Sequence, residues 1–227
     1  MPDINPQILR QFPLFQDLPS GMLSKVAAIA REKHYRKHAT IFVEGDKGDY
    51  VVLIISGIIK ISRAATSGRV KTLALLRAKD FFGEMALFLP GRERSATAEA
   101  LNECRLITID EADFERLLKE IPQISLRIIQ TLAHRLQDAN RQIKSLTLGD
   151  SRSRLADLLL WMKDEFTQTS GTQPTINLTH QELADLAGLS RETTTRLLNS
   201  LESEGAVILK SRQVTLANLE TLKKHTA

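Results

Sequence analysis

Between Thr179 and Gly205 the chain reads THQELADLAGLSRETTTRLLNSLESEG, an order of residues that few folds accommodate. Thr179 places a hydroxyl three residues before the Glu182 carboxylate. That is the pattern of a capping box, in which each side chain satisfies a backbone N–H left free at a helix start. Leu183, Leu186 and Ala187 give the following helix one apolar face. Gly188 stands where the chain must turn sharply, and only glycine takes positive φ without steric cost. Ser190 is a cap for a second helix whose inward side is Thr194, Leu197, Leu198 and Leu201. Arg191, Glu192, Thr195 and Arg196 are left on the outward face near the helix start. A helix-turn-helix sets such residues against base edges in the major groove of DNA.

Charge gives this expectation little help. The 227-residue chain carries a net charge of +4, but from Ser145 onward it holds nine Lys/Arg against ten Asp/Glu. Nucleic-acid binding must therefore rest on placement: Arg191, Arg196, Lys210, Arg212, hydroxyls, and helix starts near phosphates. The length suits one large domain or two smaller ones. No apolar run approaches the ~20 residues of a bilayer span. No leader peptide is visible after Met-Pro-Asp, and the single Cys104 excludes an intrachain disulfide or a four-cysteine metal centre. A cytoplasmic protein without a membrane partner is expected. Cys104 reads as a small buried apolar residue. His34, His38, His134, His180 and His225 have no spacing that would hold a metal or haem, so neither is expected. There is no nucleophile elbow, paired catalytic carboxylate or P-loop, which argues against an enzyme.

The texture changes twice along the chain. The first 35 or so residues read as helical, broken at Pro13 and Pro19. From about Thr40 to Ile109, short Val- and Ile-rich segments (40–43, 50–55, 58–61, 70–76, 105–109) alternate with Gly45-Asp46, Ser56-Gly57 and Ser67-Gly68. That spacing predicts antiparallel strands in a sandwich or roll, with a hairpin at Gly57. From Asp110 the period becomes helical. Ile121, Ile124, Ile128, Leu132, Leu136, Ala139, Ile143 and Leu146 recur at spacings of three and four over about seven turns. So long and narrow a stripe favours a coiled-coil seam between two copies over packing on its own domain. Asp150 caps a further helix, Ser151 to Phe166. Thr167 to Pro174 is a polar loop. After the helix-turn-helix, 206–209 and 213–216 read as a β-hairpin wing, and Lys223 to His225 as a solvated tail. The expected fold is α+β: a β-roll effector domain (1–120), a long dimerisation helix and hinge (121–149), and a winged helix-turn-helix (150–227).

The stretch from Asp80 to Thr97 holds a second candidate site. Gly83 allows close backbone approach. Successive N–H groups around Gly83 and at Ser95-Ala96 suit an anion. Arg94 offers a fork to phosphate oxygens, and Glu84 an acceptor for ribose hydroxyls. The set fits a sugar phosphate, but spacing alone slightly favours a simple Glu84–Arg94 ion pair at a turn.

Taken together, FGEMAL followed by RSATA, and the recognition string SRETTTR, resemble the Crp/Fnr family of bacterial transcription regulators over nearly the whole chain. The recognition string is most similar to the cyclic-AMP receptor branch. The resemblance implies a homodimer on double-stranded DNA, with RNA polymerase as a partner, for which the exposed loop Thr167 to Pro174 is a candidate surface, and a TGTGA-like inverted repeat as the site. It implies that Arg191 and Arg196 contact guanine and Glu192 the cytosine amine, which agrees with side-chain geometry. Thr179, Gln181, Ser190 and Thr193 would hold phosphates. It further implies a ligand, cyclic AMP or another cyclic nucleotide, at Gly83, Glu84, Met85, Arg94, Ser95, Ala96, Arg135 and Asn140, with Arg135 meeting the acidic pocket residue. The chain departs from the family at Ala139, where a base-contacting hydroxyl is usual, at Lys79 (a turn glycine) and at Ala86 (a pocket glycine). The alternatives are an effector-independent regulator with a vestigial pocket, or a nucleotide-binding module acting through protein partners.

Overall fold

The computed structural model describes residues 4–64, 70–148, 150–166 and 173–226; the side chains at 138, 140–148 and 164–166 lie outside that description. The turns read at Ser67-Gly68 and Gly149, and positions 167–172 of the polar loop, also fall outside it. The chain divides into two compact units, 1–64 with 73–135 and 65–72 with 136–227, so that one boundary falls inside a strand and another inside a helix, between Arg135 and Leu136.

The first unit opens with α1 (Pro6–Leu9) and α2 (Ser20–Ile29). Eight strands follow: β1 (Ala30–Tyr35), β2 (Thr40–Phe42), β3 (Tyr50–Ser56), β4 (Ile59–Ala64), β5 (Val70–Leu76), β6 (Phe81–Phe82), β7 (Thr97–Ala100) and β8 (Cys104–Asp110), with the short helix α3 (Met85–Phe88) between β6 and β7. They form two four-stranded sheets, ordered β1-β8-β3-β6 and β2-β7-β4-β5. β3 shows why the two sheets close on each other. It is buried on both faces, and its period of two sends Val51 and Leu53 into one cluster with Phe12, Phe15 and Ile109, while Val52 and Ile54 join Ile59, Phe82, Ala98 and Leu106 in another.

Two expectations for this unit are corrected. Residues 30–35 are not helical: they form β1, paired antiparallel along β8 from Ala30–Ile109 to Tyr35–Cys104. β1 is an edge strand carrying Arg31, Glu32 and Lys33, and charge on an edge hides the alternation that marks a strand while discouraging further pairing. Arg105 on β8 donates to Glu32 across the pair at 2.9 Å. Gly57 does not turn a hairpin. It carries the chain from one sheet to the other at φ 98°, where a Cβ would meet Cys104 Sγ at 2.4 Å and Glu103 O at 2.7 Å. The Cys104 thiol is buried, and that burial pushes its pKa up to about 11, so it stays a neutral thiol.

Helices α4 (Glu111–Glu120) and α5 (Pro122–Leu148) follow the roll. The expected seam divides here. Ile121, Ile124 and Ile128 are buried in the core of their own β domain, with Leu132 packed beside them. The face left open carries Leu126, Ile129 and Leu136, which are 60%, 62% and 64% exposed. The single stripe read from the sequence therefore mixes two neighbouring faces.

The second unit contains α6 (Ser151–Phe166), β9 (Thr175–Ile176), α7 (His180–Ala187), α8 (Arg191–Ser203), β10 (Val207–Lys210), β11 (Gln213–Leu216) and α9 (Leu219–Lys223). Asp150 starts α6 by accepting from the backbone N–H groups of Ser153 (2.7 Å) and Arg152 (2.8 Å), which, Ser153 foremost, hold its carboxyl below the usual range. Leu155, Leu159 and Met162 are buried with Leu183, Leu198, Leu201 and Val214. The wing hairpin β10–β11 gains a third strand, β9, on its β11 side. Of the expected solvated tail, Lys223 and Lys224 are exposed, but His225 is half-buried. His225 Nε2 lies 2.8 Å from Glu204 Oε2, and Arg152 also pairs with Glu204.

Candidate functional site

The helix pair α7–α8 forms through local chemistry. Thr179 Oγ1 accepts from the Glu182 N–H at 3.1 Å, and Glu182 Oε2 accepts from the Thr179 N–H at 2.6 Å. Gly188 ends α7 in the left-handed region at φ 65°. Ser190 Oγ then accepts from the Thr193 N–H at 3.1 Å and starts α8. Arg191, Glu192 and Arg196 are all exposed on that helix. The Glu192 carboxyl is held below the usual range, first by its own backbone N–H and then by the Ser190 hydroxyl. At neutral pH it is an ionised acceptor.

Between α8 and the wing lies a concavity of about 680 Å³ lined by Thr179, Gln181 and Arg191, by Asn199 and Glu202 further along α8, and by Lys210, Ser211 and Arg212 of the wing. Gln181 Nε2 donates to Asp185 Oδ1 at 2.8 Å, so that side chain already has an acceptor. His180 lines the same concavity, and its Nδ1 lies 3.0 Å from Thr195 Oγ1. Sequence reading attached no role to His180, because a contact across fifteen residues between two helices leaves no spacing signal. Arg191 at a helix start and Lys210 and Arg212 on the hairpin suit a phosphodiester backbone, while Glu202 is engaged by the Leu209 N–H, and exposed forks on α8 suit base edges.

The second site lies in the first unit. Glu84 and Arg94 are almost fully buried, 1% and 2% exposed, yet they do not form the ion pair that spacing favoured. Glu84 Oε1 instead accepts from Arg135 Nη1 of α5 at 3.0 Å, and Arg135 Nη2 donates to the Phe81 carbonyl. Burial raises the Glu84 pKa, and Arg135 opposes that rise. The Arg94 guanidinium donates to Gly83 O (2.9 Å) and Tyr50 O (3.0 Å) and sits over the Phe42 and Tyr50 rings at 4.2 and 4.5 Å. Burial lowers its pKa. One polar atom of each residue, Glu84 Oε2 and Arg94 Nε, is buried with no hydrogen-bond partner among the described residues.

The cradle's departures from the family pattern are accommodated. Lys79 takes the left-handed conformation usual for glycine, at φ 77°, and its N–H donates to Ile54 O at 2.8 Å. Ala86 fits because Gly48 faces it: a Cβ on Gly48 would lie 2.2 Å from the Ala86 methyl. A Cβ on Gly83 would meet Arg94 Nη1 at 2.6 Å. Ser95 is exposed and Ala96 buried, while the Met85 side chain is exposed on α3. Ala139 is exposed, and the Asn140 side chain lies outside the described residues. No group of three or more His, Cys, Asp or Glu among the described residues is placed to hold a metal, and no described helix is long and apolar enough to cross a membrane.

Residues 32–121 match the family model of the cyclic nucleotide-binding domain, and residues 153–225 that of the Crp-like helix-turn-helix domain. A CRP-like cAMP-activated global transcriptional regulator of Mycobacterium tuberculosis is 31% identical over 96% of this chain and 98% of its own. A cyclic AMP receptor protein of Thermus thermophilus is 34% identical over 87% and 88% of the two chains. The solved structure of the c-di-GMP-responsive global regulator CLP of Xanthomonas campestris superposes with a TM-score of 0.75 at 25% identity, covering 88% of this chain and all of that one. These relatives are regulators of transcription, not enzymes.

Proposed function

Because the chain belongs to the Crp/Fnr family of transcription regulators, we propose that it acts as a homodimer switched by a cyclic nucleotide. Binding by its helix-turn-helix would be directed at an inverted repeat with TGTGA-like half-sites. In this reading Arg191 and Arg196 take guanine O6/N7 and Glu192 accepts from the cytosine amine. Thr179, Gln181, Ser190 and Thr193 hold flanking phosphates. Two copies meet along Leu126, Ile129, Ala133 and Leu136, whose spacing of three, four and three continues in the sequence at Asn140 and Ile143. RNA polymerase is the expected further partner.

The observation that carries the effector half of the proposal is the pair of unsatisfied buried atoms, Glu84 Oε2 and Arg94 Nε–H. Native interiors rarely leave such atoms without partners. One is an acceptor suited to a ribose hydroxyl, the other a donor suited to a phosphate oxygen. Gly83, Ser95 and Ala96 supply the backbone around them. The Arg135–Glu84 pair joins this site to α5, so a ligand that engages Glu84 alters a contact made by the long helix. A ligand shifts the equilibrium only by its differential affinity for the two states, and this contact is where that difference arises.

One observation favours a second reading. Arg94 already donates to Gly83 O and Tyr50 O, and Ala139 brings no hydroxyl to a base. A pocket satisfied from within fits a regulator that needs no effector. Gel shift on a TGTGA inverted repeat with and without cyclic AMP, joined to calorimetric titration with cyclic AMP, cyclic GMP and c-di-GMP, separates the readings. Affinity that rises with a nucleotide supports the switch, and Arg94→Ala then abolishes the response. Strong specific binding that no nucleotide changes supports the second reading. Absence of specific retention removes both.

A further inference from the structure

Arg94 is a buried cation held mostly by neutral groups. Its side chain is 1% exposed, and Asp49 Oδ1 approaches Nη2 only to 3.8 Å, from a side chain that is 61% exposed. What holds the guanidinium instead is two carbonyls and two rings. The bonds to Gly83 O and Tyr50 O occupy two of its five N–H groups. The Phe42 and Tyr50 ring centroids lie 4.2 and 4.5 Å from Cζ and 6.4 Å from each other. The last distance is shorter than the other two together, so the rings do not flank the guanidinium from opposite sides. They form a corner around it, inclined to each other at 65°.

The corner is itself anchored. The Tyr50 hydroxyl donates to Ile41 O at 3.1 Å, and the Phe42 ring packs on Phe82 with centroids 5.6 Å apart. Phe42 comes from β2 and Tyr50 from β3, one strand of each sheet, so the corner exists only because the two sheets close on each other. Glycines let the backbone close in on the remaining sides: a Cβ on Gly83 would meet Nη1 at 2.6 Å, and one on Gly48 would lie 3.5 Å from Cζ. A long side chain normally loses rotamer freedom when it takes a ligand. Here that freedom is already lost in the free protein.

An arginine on an open surface turns its fork to whichever oxygen is presented, whereas one fixed in plane and rotation meets a phosphate in a single orientation. The two exocyclic oxygens of a cyclic phosphate are inequivalent in a chiral site, so a fixed fork favours one of them. We propose that Phe42 and Tyr50 are positioning residues that fix the Arg94 guanidinium and thereby make the site select between the two exocyclic oxygens of a cyclic nucleotide. The inference rests on the reading of this cradle as a nucleotide site.

The test uses the full-length protein, freed of carried-over nucleotide, and the diastereomeric cyclic phosphorothioates of adenosine and guanosine, in which sulfur, the poorer acceptor, replaces one exocyclic oxygen or the other. In calorimetric titration the wild type binds one diastereomer about tenfold more tightly, the value of one hydrogen bond to a charged group, and Arg94→Ala removes the preference. Phe42→Leu and Tyr50→Leu each bring the two diastereomers close to equal affinity. Phe42→Tyr, which keeps a ring, and Tyr50→Phe, which loses only the bond to Ile41, keep most of the preference. A merely structural role would lower the thermal midpoint and weaken both diastereomers together without moving their ratio. If one leucine variant does not fold, the other gives the same reading. Nitrogen NMR spectra of the isotope-labelled wild type give a reading without any substitution: a fixed Arg94 shows separate Nη1 and Nη2 signals, and a single averaged signal overturns the proposal. A ratio that survives both leucine substitutions, or a wild type that binds the diastereomers alike, discards the positioning role while the nucleotide site stands. If the wild type binds none of these compounds, nor cyclic AMP or cyclic GMP, the nucleotide reading itself fails and this inference falls with it.

Discussion

Replacing Arg135 by leucine tests the effector unit most directly. The substitution removes a charge-assisted hydrogen bond to a carboxylate that is 1% exposed, a bond to the Phe81 carbonyl, and a guanidinium 4.9 Å from the Phe81 ring. A hydrogen bond to a charged group contributes about 1.5–3 kcal/mol, and the ring contact about 0.5–1 kcal/mol. Glu84 would then keep only its own backbone N–H and the nearby Arg94 charge to offset its burial, close to the situation in which breaking a buried pair costs ~3–5 kcal/mol. Arg135 is 30% exposed, so water screens part of this, and the expected loss is about 2–4 kcal/mol. For a unit of this size that lowers Tm on the order of 10 °C. The loss depends on pH in a definite sense. Burial raises the Glu84 pKa above the ordinary 4.5, so the folded state holds the proton more tightly than the unfolded state. Its protonated form favours folding below the unfolded value, and that contribution is lost as pH rises through the folded value. Removing Arg135 raises the folded value further. The deficit of the variant is therefore largest near neutral pH and shrinks on acidification, where Glu84 is neutral in both proteins. Scanning calorimetry reads the effect. The single tryptophan, Trp161, lies in α6 of the second unit, so the transition that moves must be the one silent in tryptophan fluorescence. Glu84→Gln completes a double-mutant cycle. An unmoved transition near neutral pH, or purely additive effects in the cycle, refutes the reasoning.

The other predictions concern the long helix and the DNA-reading unit. Leu136→Asp should yield a folded monomer by analytical ultracentrifugation, whereas Ile128→Asp, one face away, should unfold the β domain; a dimer retained in the first case removes the Leu126–Ile129–Leu136 seam. Arg191→Ala should cost about 1–3 kcal/mol per half-site and relax the choice at one guanine in competition gel shifts; equal weakening on all sequences would mark Arg191 as a phosphate contact. The Thr194 hydroxyl is fully buried without a partner among the described residues, so the isosteric Thr194→Val should stabilise the second unit by about 1 kcal/mol. A lower midpoint in tryptophan-detected thermal melts would mean that the hydroxyl is bonded after all.

What the sequence determined by itself was whatever short-range chemistry settles. Thr179 with Glu182, Gly188, and Ser190 with Thr193 act within four residues of one another, so the whole helix-turn-helix frame was legible, as was the Asp150 start of α6. β3 was legible too, as a short run rich in Val and Ile, a local property of the chain. The tertiary structure alone decided which side of α5 is covered. Ile128 and Ile129 are adjacent in sequence but about 100° apart around the helix, and only the position of the β domain buries one and leaves the other open. It also decided that Gly57 crosses between sheets, that the charged segment 30–35 is an edge strand, and that His225 closes on Glu204. Above all it decided the partners of the buried charges. Glu84 chose Arg135, fifty-one residues away, over the nearer Arg94, and Arg94 took two carbonyls and two aromatic rings. The energy of a buried charge depends on what surrounds it in space, and sequence distance carries no record of that.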